Sequence, residues 1–182
     1  MLHSLKRAIQ SIFARSAGGV RGPSSTLGII EVRDAAPLAG ELFFRAFAQP
    51  IPDFPRHFVL ACSRSDEQPF ALGYVHQTAF ESSYLAGGLV VDVWKFRGLS
   101  PAEKDEIRER GGMAEWLMTE SCRLVHPCDA VFGHIGDPKA LIVDTRVGFR
   151  PTEYPYLYVL PASAPASELF AISARVAALG PF

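Results

Sequence analysis

HFVLACSRSDEQPFALGYVHQTAFESSYLAGGLVVD, residues 57–92, holds three runs rich in β-branched and aromatic residues: His57–Ser63, Phe70–Phe80 and Tyr84–Asp92. Each reads as a strand. The breaks between them, SRSDEQP and ESS, are far too short for a parallel crossover, which needs a dozen or more residues. The three strands are therefore expected as antiparallel neighbours. Within the third run, Gly87-Gly88 predicts a bulge or a close backbone approach. Alternation along the second run places His76 on the same face as Tyr74 and Thr78.

Upstream, Leu27–Arg33 (LGIIEVR) reads as a strand and Pro37–Phe47 as a helix with Leu38, Leu42, Phe43 and Phe47 on one face. Three prolines make Gln49–Pro55 a loop. In and beside that loop, Phe54, Arg56 and His57 are candidate substrate contacts, with simple packing as the alternative.

Downstream, Ser100-Pro101-Ala102-Glu103 is a capping box with proline at the first helical position. The helix it opens runs to about Arg110 and is almost wholly charged, so it is expected on the surface with Ala102 and Ile107 as its buried residues. Gly111-Gly112 ends it. A second, amphipathic helix follows over Met113–His126, with Ala114, Leu117, Met118, Ser121, Cys122 and Val125 on one face, and Pro127 stops it. Asp129–Ile135 reads as a strand. Asp137 and Pro138 open another helix, Gly148 closes it, and Glu153–Leu160 is a last strand, irregular or at an edge because of Pro155. The tail, residues 162–182, begins as a Pro/Ala/Ser linker and closes with a short helix over Ser167–Leu179. This order predicts an α/β fold with a mixed, mostly antiparallel central sheet and helices on both faces.

A chain of 182 residues fits one domain. Its net charge of −1 shows no basic surplus, so no nucleic-acid partner is expected. An odd count of three cysteines argues for free thiols in a reducing, cytoplasmic setting. Cys122, His126 and Cys128 lack a fourth ligand and the usual paired spacing, so no metal is expected and Cys122 is read as apolar filling. No run of 18 apolar residues exists to span a membrane. Residues 1–26 form an arm and linker: Leu2, Leu5, Ile9, Ile12 and Phe13 recur at helical spacing among basic residues. A docking helix or loose arm is the plainer reading, membrane-surface contact the alternative.

Two local motifs join the element order to a known family. Glu109-Arg110-Gly111-Gly112-Met113-Ala114 resembles the Arg/Gln-x-x-Gly-x-Gly/Ala loop of the GNAT superfamily of acyl-CoA-dependent N-acyltransferases, with Glu109 where Arg or Gln is usual. Asp137, Ala140, Asp144, Arg146, Gly148 and Phe149 resemble the family's Asn-x-x-Ala-x-x-x-Tyr-x-Lys/Arg-x-Gly-Phe pattern, with Asp137 for Asn and Asp144 for Tyr. The resemblance covers residues 27–161 and leaves the arm and the tail outside it.

The resemblance implies transfer of an acetyl or other acyl group from coenzyme A to an amine of a small molecule or protein. The first loop, Arg110, Gly111, Gly112, Met113 and Ala114, would grip the pyrophosphate. A helix N-terminus suits that role because its backbone N–H groups are unpaired and carry partial positive charge. Leu89, Val90 and Val91 would supply backbone N–H groups to the thioester carbonyl. Asp144 stands where a tyrosine protonates the leaving thiolate, with a solvated helix face as its plainer reading. His76 and Asp92 are the candidate general bases, a satisfied sheet histidine and a loop cap being their respective alternatives. The alternative function is a catalytically silent domain of this type that binds acyl-CoA or a protein partner. A homodimer is the assembly considered.

Overall fold

The computed structural model of the protein describes residues 25–64 and 68–182. The expected helical arm lies outside the described residues, apart from Ser25 and Thr26, which begin the first strand. The strands are β1 (Ser25–Val32), β2 (Arg56–Arg64), β3 (Phe70–Phe80), β4 (Ser83–Val91), β5 (Ala130–His134), β6 (Arg150–Pro151) and β7 (Leu157–Pro161). They form one sheet in the order β1-β2-β3-β4-β5-β7-β6. Every neighbouring pair is antiparallel except β4 and β5, which run parallel.

The helices are α1 (Ala36–Phe47), α2 (Val93–Arg97), α3 (Pro101–Glu109), α4 (Met113–Leu124), α5 (Pro138–Val147) and α6 (Ala166–Ala177). The long crossover that a parallel neighbour demands is supplied by α2, α3 and α4 between β4 and β5. Helices cover both faces. Ala39 and Phe43 of α1 pack on Val59, Ala61, Ala71 and Tyr74. Trp116, Leu117, Met118 and Cys122 of α4 pack on Phe58, Leu60, Leu72 and Val75 on the other side. Ile172 and Val176 of α6 close a third cluster over Leu85, Phe132, Leu157 and Val159.

Alternation explains this division along β2, whose even residues face α4 and odd residues face α1. In β3 the phase changes. Leu60 pairs with Gly73 and Ala61 with Ala71, leaving Leu72 as an extra residue. Ala71 and Tyr74 therefore share the α1 face although one is odd and the other even.

Three expectations change on the structure. The Glu153–Leu160 strand starts at Leu157, and the chain between β6 and β7 turns through Pro155 and Tyr156, the latter at φ +64°. In α3, Ala102 is exposed and Glu103 is buried beside Ile107. The reciprocal capping bonds between Ser100 and Glu103 turn that carboxylate inward, where it meets Arg64 at 3.2 Å. His57 lies in β2 as expected, but at 2% exposure it is closed off from the substrate contact considered for it.

Candidate active site

The middle of the sheet is disturbed at one place. In β3 and β4, Tyr74 pairs with Val90 and His76 with Gly87, so Gly88 and Leu89 stand opposite the single residue Val75. Gly88 takes φ +65°, the left-handed conformation that glycine adopts freely. Beyond this point β4 also loses its other neighbour. Parallel pairing with β5 runs from Tyr84–Val131 to Ala86–Gly133 and stops, while β4 continues to Val91. The edge from Gly87 to Val91, which includes Leu89, Val90 and Val91, is thus open on the β5 side among the described residues. A backbone edge left unpaired beside a bulge offers N–H and C=O groups to a ligand.

His76 lies on the floor made by the two glycines. A Cβ on Gly87 would stand 2.6 Å from His76 Nε2, and one on Gly88 would meet its Cε1 at 2.7 Å and Nδ1 at 2.8 Å. Phe43 of α1 closes the other side, with ring centroids 6.3 Å apart. Burial, followed by the neighbouring His57, holds the His76 imidazole down to about 4. It is neutral at physiological pH and keeps a free lone pair. Tyr74 Oη lies 3.3 Å from His76 Nδ1 and 2.9 Å from His57 Nδ1.

Asp92 is arranged differently. Its Oδ1 accepts from the backbone N–H groups of Trp94 and Lys95, capping α2. Its Oδ2 accepts from Arg45 Nη2 at 2.7 Å. Burial pushes this carboxyl up, but the Lys95 N–H and the Arg45 guanidinium outweigh it and leave it below its usual range. Its acceptor sites are engaged, which suits a cap better than a base. Around it, Leu38, Glu41, Leu42, Arg45, Trp94 and Lys95 line a cleft of about 220 Å³ between α1 and α2.

Asp144 is on the opposite face of the sheet from His76, and it is not solvated. It is 4% exposed, on the side of α5 from which Val147 packs against the core cluster that α4 helps to form. Its Oδ1 has no hydrogen-bond partner. Burial pushes its carboxyl up to about 6. Cys122 lies near enough that the charge of Asp144 adds to the burial that raises the thiol to about 12, so Cys122 is an inert filler. No group of three or more His, Cys, Asp or Glu is placed to hold a metal among the described residues.

The glycine loop links α3 to α4. Gly111 and Gly112 take φ +83° and +103°, and no side chain caps the N-terminus of α4. Met113 and Ala114 begin that helix, so their N–H groups belong to its first, unpaired turn. Arg110 stacks over Trp116, 4.4 Å from the ring centroid, and Arg108 is held by Asp105. The residue that sequence reading missed is Glu115, whose carboxylate packs directly against Gly111 and lies 3.8 Å from Arg146 Nη1. Its position three residues after Gly112 in a first helical turn was the available signal.

Among solved structures the chain is similar to the ribosomal-protein-S18-alanine N-acetyltransferase from Escherichia coli. The identity is 12% and the TM-score 0.49, covering 78% of this chain and 97% of the other. It is also similar to a point mutant of KacT, with 16% identity, TM-score 0.45 and coverage of 85% and 99%. A third is AtaTR bound with acetyl-CoA, with 16% identity, TM-score 0.44 and coverage of 84% and 98%. No family model and no curated protein sequence matches.

Proposed function

We propose that the protein is a GNAT-like N-acyltransferase, moving an acyl group from an acyl-CoA to an amine. The observation that carries this reading is the parting of β4 from β5 after Ala86 beside the Gly88 bulge. A slender pantetheine arm would enter there, with its thioester carbonyl on the open Leu89–Val91 edge. The uncapped N-terminus of α4 would hold the diphosphate. His76, neutral and partly exposed beside the bulge, would take the proton that the amine must lose to attack. Asp144, on the far side of β4 and raised to about 6, would give a proton to the departing thiolate. The fold's main contribution would be to hold the two reactants in line. The cleft between α1 and α2, with Glu41, Trp94 and Lys95, is the entrance we assign to the acceptor.

The test is calorimetric titration with acetyl-CoA and with longer acyl-CoA species. Micromolar binding that weakens at least tenfold in Gly112→Asp supports the reading, provided the variant melts cooperatively. No heat with any CoA species overturns it.

One observation favours a silent, binding form of the same domain. The Glu115 carboxylate packs against Gly111 beside the α4 N-terminus, where its charge would repel a diphosphate. CoA binding without acyl transfer to any amine in a broad panel would select that form.

A further inference from the structure

His57 and His76 are paired directly across β2 and β3, and both Nδ1 atoms meet the same hydroxyl, Tyr74 Oη, at 2.9 and 3.3 Å. Tyr74 is fully buried and His57 is 2% exposed, so water does not compete for these contacts. A phenol has one proton to donate. If it donates to one Nδ1, it can only accept from the other, and the other must then carry a proton on Nδ1. The three side chains therefore form a directional chain in which the two imidazoles hold opposite tautomers.

We propose that His57–Tyr74–His76 is a proton relay, and that His57 and Tyr74 are positioning residues for the base His76; this rests on the acyltransferase reading above. In the resting state Nδ1–H of His76 donates to Tyr74 Oη, the Tyr74 hydroxyl donates to His57 Nδ1, and the lone pair of His76 Nε2 faces the glycine floor. No protein group bonds that Nε2 among the described residues. When the acceptor nitrogen loses its proton, an N–H bond breaks there and a new one forms at His76 Nε2. His76 Nδ1 releases its proton to Tyr74 Oη, and the phenol passes its own proton to His57 Nδ1. No atom is lost and the positive charge ends on His57. Burial holds the His57 imidazole below its ordinary range, and the carboxylate of Asp34, in the exposed link between β1 and α1, opposes that in part, so His57 would hold the charge only while the reaction passes. Hydrogen bonds in such a buried chain polarise one another, which couples the three groups.

The experiment is long-range 1H–15N correlation on the full chain labelled with 15N-histidine, at pH 7 without ligand. The expected result is one imidazole protonated at Nδ1 and one at Nε2, with Tyr74→Phe returning both to the same tautomer while the backbone amide spectrum stays native. Both imidazoles protonated at Nε2 in the unsubstituted protein would overturn the relay. A second readout separates relay from packing. Tyr74→Phe and His57→Gln are expected to lower kcat about tenfold with KM unchanged, and an unaltered kcat in both would also overturn it. Failure of CoA to bind would overturn the parent reading and not the tautomer result, which is read in the resting protein.

Discussion

Gly88 and His76 are fitted to each other. Gly88 lies under the imidazole so closely that a Cβ added to it would stand 2.7 Å from His76 Cε1 and equally close to Phe43. The same residue opens the bulge that frees β4 from its regular pairing. Backbone conformation, ring position and the open strand edge are thus one arrangement, and a substitution at this position tests all three.

Gly88→Ala is expected to cost about 1–2 kcal/mol for the left-handed backbone and about 1–3 kcal/mol for overpacking against two rings. Gly87→Ala lacks the backbone penalty and is expected to be milder, with the His76 ring displaced. Urea unfolding measures both. Equal costs for the two variants would contradict the account.

Two buried groups pull the stability in opposite directions between pH 4 and 6.5. Asp144 has a raised folded value, so the native state holds its proton longer than the unfolded chain. Its burial therefore becomes destabilising as pH rises from its ordinary 3.8 through about 6, by up to about 3 kcal/mol. His76 has a lowered folded value of about 4, so the native state resists protonation and stability is lost as pH falls below 6.5. Asp144→Asn should raise the melting temperature at pH 7.5 and bring no gain at pH 4. His76→Gln should flatten the acid limb. Melting curves of both variants from pH 4 to 8 check the signs.

Glu115 is expected to separate folding from binding. As a carboxylate in the first turn of α4 it favours the helix by about 0.3–1 kcal/mol, so Glu115→Gln should melt slightly lower. The same change removes a negative charge from the anion site and should tighten acetyl-CoA binding about two- to fivefold, as read by calorimetry at low salt. Weaker CoA binding in this variant would place the diphosphate elsewhere.

If His76 is the base, the acid limb of kcat/KM should fall near pH 4 and not near 6.5, because the limb reports the free protein's group. A limb at 6.5 that vanishes in another histidine variant would remove His76 from the role.

The periodic parts of the chain are legible in the sequence. The three meander strands, the helix opened by Gly112 and the Asp137-to-Gly148 helix lie within about two residues of their expected ends, because their caps, turns and alternation are local signals. The fold class follows from their order. The site residues are legible in kind but not in setting. Asp144 reads as solvated because a charged residue on a helix usually is; that α5 turns this side toward α4 is a tertiary fact. His57 adjoins the proline loop in sequence, and its meeting with Tyr74 and His76 depends on strand register, which no local pattern records. The α2 turn at Val93–Arg97 is too short to show a period, and Pro155, which reads as an irregularity, lies where the strand has not yet begun.

The extra residue at Leu72 also breaks the parity of β3. Downstream of it, every side chain of β3 is on the face opposite to the one a plain count from Ala71 would assign. Were the same residues to run as an unbroken alternation, Tyr74 and His76 would point toward α4 and Val75 toward α1, with composition unchanged. The side of the sheet on which proton chemistry sits is therefore held by the bulge and not by a count of residues: deleting Leu72 would restore plain pairing with β2 and leave both rings on the α1 face, with one apolar side chain fewer under α4.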